Sequence, residues 1–160
     1  MDDKITLANL DIFLLLRLQS LSEEEKQKYL QELTSLAVGQ LVIEDLSQKL
    51  SEEQQKKATE LLQDPQKAAE GIDYLKSIVP EFDELFQKQI MKLKRGAVKA
   101  NVGERLAINL QQRDYLRSLP ADEETNKKVL TNEQERTNLE KTLAAIDADD
   151  WATVSSLIPS

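Results

Sequence analysis

The sequence predicts an all-α fold: an irregular helical bundle or helical-hairpin array of about six to eight helices with no significant sheet. Three observations lead there. Leu, Glu, Gln, Lys and Ala, all good helix formers, dominate the 160 residues, and only four Gly and four Pro interrupt them. Helix-start signals recur along the chain, each followed by apolar residues at 3.6-residue spacing. No segment alternates β-branched and polar residues with the period of a strand.

The elements follow in order. Residues 6–18 read as a first helix with Leu7, Leu10, Phe13, Leu14 and Leu18 on one face. Ile12, Leu15 and Leu16 make it apolar almost all round, so it is either core or a segment that docks on a partner. Ser22-Glu23-Glu24-Glu25 is a capping box that opens a helix carrying an apolar stripe from Tyr29 to Leu50, with Gly39 inside it. Ser51-Glu52-Glu53-Gln54 repeats the start signal 29 residues on; either a helical-hairpin repeat or the sameness of good capping boxes explains it. Asp64-Pro65 places an N-cap and an N1 proline before Ala68, Ile72, Leu75 and Val79. Pro80 ends that helix, and Phe82, Leu85, Phe86, Ile90 and Leu93 begin the next. Residues 96–104, with Gly96 and Gly103 at their edges, are a joint or continuous helix. Leu106, Leu110, Tyr115, Leu116 and Leu119 line a helix ending near Pro120, and residues 121–128 read as a polar, mobile loop. Thr131-Asn132-Glu133-Gln134 is a third capping box, Asp149 caps a short last helix with Trp151, Val154, Leu157 and Ile158, and Pro159 closes it. This organisation gives an N-terminal unit over 1–95, a joint or continuous helix over 96–104 and a C-terminal unit over 105–160.

Two of these start signals, Leu21-Ser22-Glu23-Glu24-Glu25 and Leu50-Ser51-Glu52-Glu53-Gln54, precede Tyr74-Leu75 and Ile78-Val79-Pro80-Glu81-Phe82-Asp83-Glu84. Over residues 7–95 this arrangement resembles a family of small uncharacterised bacterial all-helical domains. The resemblance implies a compact helical fold and no established activity, and it leaves the C-terminal third without a counterpart.

Composition narrows the chemistry. With no His and no Cys the chain has no imidazole base, no thiol nucleophile, no soft zinc ligand and no disulfide. The glycines at 39, 71, 96 and 103 form neither a phosphate loop nor a dinucleotide fingerprint. Asp147, Asp149 and Asp150 suggest a calcium loop, but its sixth and twelfth places hold Ala152 and Ile158 where Gly and Glu belong. The acidic runs at 23–25, 52–53 and 122–124 suit helix starts, where they offset the macrodipole. The sequence therefore predicts no cofactor, no metal and no catalytic residues. The start Met1-Asp2-Asp3 lacks the basic region of a secretion signal, and the apolar run 12–16 is too short to span a bilayer, so a cytoplasmic protein without a membrane span is expected.

Net charge is −8, unevenly spread. Residues 81–105 hold six basic against four acidic side chains, the only basic stretch. Lys88, Lys92, Lys94, Arg95 and Lys99 are its candidate phosphate-binding residues, with Lys88, Lys92 and Arg95 on one helical face. Ordinary solvation and a favourable place near a helix C-terminus are the favoured account of them, since few aromatics sit nearby to stack bases. Phe13, Leu14, Leu16 and Trp151 are the candidate protein-binding residues. The function expected is a non-catalytic helical protein–protein interaction module (adaptor, assembly subunit or regulator), with another protein or self-association as partner. The alternative is a nucleic-acid- or ribosome-associated factor using residues 88–105; a carboxylate-only enzyme ranks below both.

Overall fold

A computed structural model of the chain describes residues 4–158. Among them are seven α-helices and no strand: α1 (Ile12–Leu15), α2 (Glu23–Glu44), α3 (Glu52–Gln63), α4 (Ala68–Ile78), α5 (Phe82–Arg117), α6 (Glu123–Asp147) and α7 (Trp151–Leu157). The expected stop at Pro159 and the acidic Asp2 and Asp3 lie outside the described residues. No helix among those described is long and apolar enough to cross a membrane.

The chain divides differently from the expected 1–95 and 105–160. One compact unit is Leu21–Leu93; the other joins the residues up to Ser20 with those from Lys94 onward. The boundary falls within α5, a single helix of 36 residues, so 96–104 is continuous helix. Nothing there breaks it: Ala97, Val98, Ala100 and Val102 tolerate helical backbone, and Val98 and Val102 bury one face of it.

The Leu21–Leu93 unit is built on its caps. Ser22 and Ser51 each accept from the amide three residues on, at 3.2 Å, while Glu25 and Gln54 reach back to the cap amides. α2 ends at Glu44 rather than running to Leu50; a separate turn, closed by the Leu50 amide on the Leu46 carbonyl, carries Leu46 and Leu50 into the core. Asp64 caps a turn over residues 65–67 through the Gln66 amide, and α4 starts only at Ala68. The core collects Val38 and Leu41 from α2, Leu46 and Leu50 from the turn, Ala58 from α3, Leu75 and Val79 from the end of α4, and Phe82 from α5. Val79 is extended, as the residue before Pro80 requires.

In the other unit the expected helix over 6–18 is two pieces. A 3-10 turn (Leu7–Asn9) gives way to extended Leu10, and Asp11 caps the single turn α1 by accepting from the Phe13 amide at 2.8 Å. α6 starts with Asp122 as its cap, so residues 123–128 are helix rather than loop. Thr131-Asn132-Glu133-Gln134 therefore lies inside α6 and caps nothing; Asn132 is buried and exchanges hydrogen bonds with Asn109 of α5, each amide donating to the other's backbone carbonyl at 3.0 and 3.1 Å. That pair and the Lys99–Asp147 contact set α5 and α6 antiparallel. The cap of α7 is Asp150, whose carboxylate accepts from the Thr153 amide, while Asp149 occupies the left-handed position that closes α6.

Two glycines invite substitutions of opposite sign. A Cβ at Gly39 meets nothing within 4 Å, so Gly39→Ala gains helix propensity alone and stabilises by about 0.5–1 kcal/mol. At buried Gly71 a Cβ would lie 2.9 Å from Leu62 Cδ2 and 3.2 Å from Leu61 Cβ, where α4 packs on α3. Gly71→Ala overpacks that contact and destabilises by about 1 kcal/mol, overpacking exceeding the propensity gain. Urea unfolding midpoints of the two variants should move in opposite directions.

The caps also set an acid limit. The Ser22 amide holds the Glu25 carboxyl below its ordinary value, the Thr125 amide does so for Asp122, and the Thr153 hydroxyl for Asp150. Carboxyls with lowered folded values bind fewer protons folded than unfolded, so their stabilisation is complete above the ordinary carboxyl range and is lost as pH falls through it. The urea midpoint should hold level from about pH 7 to 5 and fall steadily below about pH 4.5.

Candidate functional site: a groove beside α2

The sequence-nominated residues are the natural starting point, and the fold uses most of them internally. Phe13, Leu16 and Trp151 are buried, Leu14 is half-buried, and their apolar surface serves the core of their own unit. Four of the five basic residues have protein partners. Lys92 pairs with Glu44 at 2.9 Å, Lys99 with Asp147 at 2.6 Å, and Arg95 with Asp149 and the Ile146 carbonyl, both at 3.1 Å. Lys94 is itself buried, its ammonium donating to the carbonyls of Leu7, at 2.6 Å, and Leu10. Burial lowers its pKa, and the charge of Asp11 opposes that shift. Lys88 alone of the five is exposed without an ion pair among the described residues. What read as a basic face is, for the most part, charge already neutralised within each unit.

A different surface is open. In the Leu21–Leu93 unit two adjoining cavities of about 320 and 540 Å³ run along α2 and share Ser35, Leu62, Ala68 and Ile72. Gln31, Ser35, Val38 and Val42 recur at i, i+4, i+7 and i+11, so one long face of α2 forms one wall. The end of α3 and the start of α4, through Leu62, Ala68 and Ile72, form the other. Leu30 lines the groove toward one end and Ile43 toward the other; they are 43% and 73% exposed. Their spacing of 13 residues corresponds to about 20 Å of helix. Gly39 borders the groove and leaves its edge open, since a Cβ there meets nothing. No carboxylate or basic side chain lines either cavity, so the groove is equipped for apolar contact and not for proton transfer.

Sequence reasoning missed this groove because the apolar stripe of α2 does not show which of its residues the core leaves open. Leu36 and Ile43 of that stripe stand exposed, and Val38 borders both core and groove. Gly39, which interrupts that stripe, was the available signal.

Lys94 and Lys92 separate buried from surface charge. Lys94→Met keeps the aliphatic stem but leaves the Leu7 and Leu10 carbonyls without their donor, and should cost about 1–3 kcal/mol. Lys92→Met removes an exposed pair and should cost less than about 1 kcal/mol. Urea denaturation of the two variants side by side checks the contrast.

No family model matches the chain, and neither does any curated protein or solved structure.

Proposed function

We infer that this protein is a non-catalytic helical interaction module whose α2 groove takes a basic amphipathic helix from another protein. The observation carrying this reading is the groove itself: a continuous apolar channel, walled by two helical faces, with exposed Leu30 and Ile43 toward its ends. Helix-in-groove recognition uses such a channel to bury side chains spaced at i, i+3, i+4 and i+7 on the incoming helix. Its length matches roughly 13 residues of helix at 1.5 Å each. The surrounding unit supplies the charge preference, since Leu21–Leu93 carries 15 acidic against 9 basic side chains. A partner with Lys or Arg on its polar face gains encounter rate and orientation from that field.

The nucleic-acid reading has less behind it, because the cations it relied on are engaged by Glu44, Asp147, Asp149 and backbone carbonyls. Acid–base catalysis lacks a paired-carboxylate cleft in the groove.

Titration of the isotope-labelled chain with a Leu/Lys amphipathic model helix should shift amides of residues 30–43 and 62–72. Gly39→Trp, which projects a ring over the groove edge without disturbing the core, should weaken that binding about tenfold or more, equivalent to about 1.4 kcal/mol. Shifts confined to the other unit, or unchanged affinity in the Gly39→Trp variant, would sink the proposal.

A further inference from the structure

The unit that contains α6 holds a second cleft, of about 320 Å³, bordered by α1, α5, α6 and the end of α7. Arg17 and Arg105 both line it and also line a smaller adjoining cavity, so two guanidiniums converge there. They sense each other: burial first, and then the Arg17 charge, lower the Arg105 pKa, with Glu135 opposing. Neither arginine has a carboxylate oxygen within ion-pair distance among the described residues. Arg105 spends one N–H on the Leu16 carbonyl at 3.2 Å, which closes α1, and its other donors have no partner among the described residues.

The backbone at Arg17 sharpens the point. Its φ of 55° is left-handed, and it sits where a helix-closing motif ordinarily places Gly: the Leu18 amide donates to the Phe13 carbonyl and the Arg17 amide to that of Leu14. The same motif closes α6 with Asp149 at φ 53°, and there the side chain is used, by Arg95. At Arg17 the side chain lines the cleft with no hydrogen bond or ion pair among the described residues. Asn101 also lines the cleft, but its side-chain oxygen is sealed from it. Leu15, Val102 and Leu139 supply an apolar wall.

We propose that the Arg17–Arg105 cleft binds a small apolar monocarboxylate, such as an N-acyl amino acid or the last residue of a peptide. The carboxylate lies against the two guanidiniums, whose planar forks suit its geometry. Its side chain covers the apolar wall. Two arginines set against Glu135 leave about one net positive charge, which favours a monoanion over a phosphate dianion. This cleft lies outside the unit that carries the α2 groove, so either proposal can fail without the other.

The test titrates the full chain with N-acetyl-L-leucine, N-acetyl-L-leucinamide and inorganic phosphate, following amide shifts by NMR. The carboxylate should bind saturably with a dissociation constant of about 1 mM or tighter, and about tenfold or more above the affinity of the amide or of phosphate. A Gly-Gly-Gly-Leu peptide with a free carboxylate assigns the source: tighter binding than the acetylated residue identifies a peptide C-terminus, and equal binding a small molecule. Arg17→Gly should lose at least about tenfold in affinity while its urea midpoint rises, because glycine relieves the left-handed strain; a folding defect therefore cannot mimic the loss. Arg105→Gln should lose affinity to a similar degree. No saturable shift, equal binding of the amide, tighter binding of phosphate, or full affinity in Arg17→Gly would each overturn the proposal.

Discussion

The ammonium of Lys94 is the interaction on which the most other features depend. It lies on the buried face of α5 and holds the carbonyls of Leu7 and Leu10, more than eighty residues away in sequence. Because Leu10 turns its carbonyl toward that ammonium, it cannot continue a helix, and the apolar N-terminal run breaks into a 3-10 turn and the short α1. A buried cation is costly unless its donors are used, and two carbonyls together with the charge of Asp11 meet that requirement. The result carries the residues up to Ser20 into the unit that begins at Lys94, so that one unit is assembled from both ends of the chain.

Polar burial elsewhere in that unit works by the same logic. Asn109 and Asn132 exchange amide-to-carbonyl hydrogen bonds between α5 and α6, which ties the register of the two helices to one residue pair. A shift by one turn would leave both amides buried without acceptors, a larger loss than the apolar contacts around them could recover. Arg105 closes α1 through the Leu16 carbonyl, so the same face of α5 that fixes α6 also fixes the N-terminal segment. What these bonds leave over, the second guanidinium at Arg17, gives the cleft its chemistry.

The Leu21–Leu93 unit is organised by apolar packing instead. Its core draws one or two side chains from each of four helices and from the turn at 46–50, and Phe82 stacks on Phe86 at 5.8 Å where α5 begins. α2 carries more apolar surface than this core uses, and the remainder becomes the groove and the exposed Leu36 and Ile43. At the end of α2, Glu44 and Asp45 sit against an unfavourable dipole and are compensated by the Gln89 amide at 3.1 and 2.9 Å. The groove of this unit has no charged side chain in its lining, whereas Arg17, Arg105 and Glu135 line the cleft of the other.

The sequence by itself determined the helical class, the starts of α2 and α3 and the break at Pro80, because a capping serine or a proline acts on atoms within three or four residues of itself. The same local logic failed at Thr131-Asn132-Glu133-Gln134, whose cap pattern is real but whose Asn132 is taken by Asn109. It also placed the last cap one residue early, since Asp149 and Asp150 are alike until the fold assigns one to Arg95 and the other to Thr153. Tertiary structure decided where the basic residues go, how the chain divides, and which apolar surface stays open. Each of those depends on a partner far along the chain: Leu7 for Lys94, Asp147 for Lys99, Leu62 and Ile72 for the open face of α2. Side-chain spacing tells which residues share a helix face, but only packing determines what that face meets.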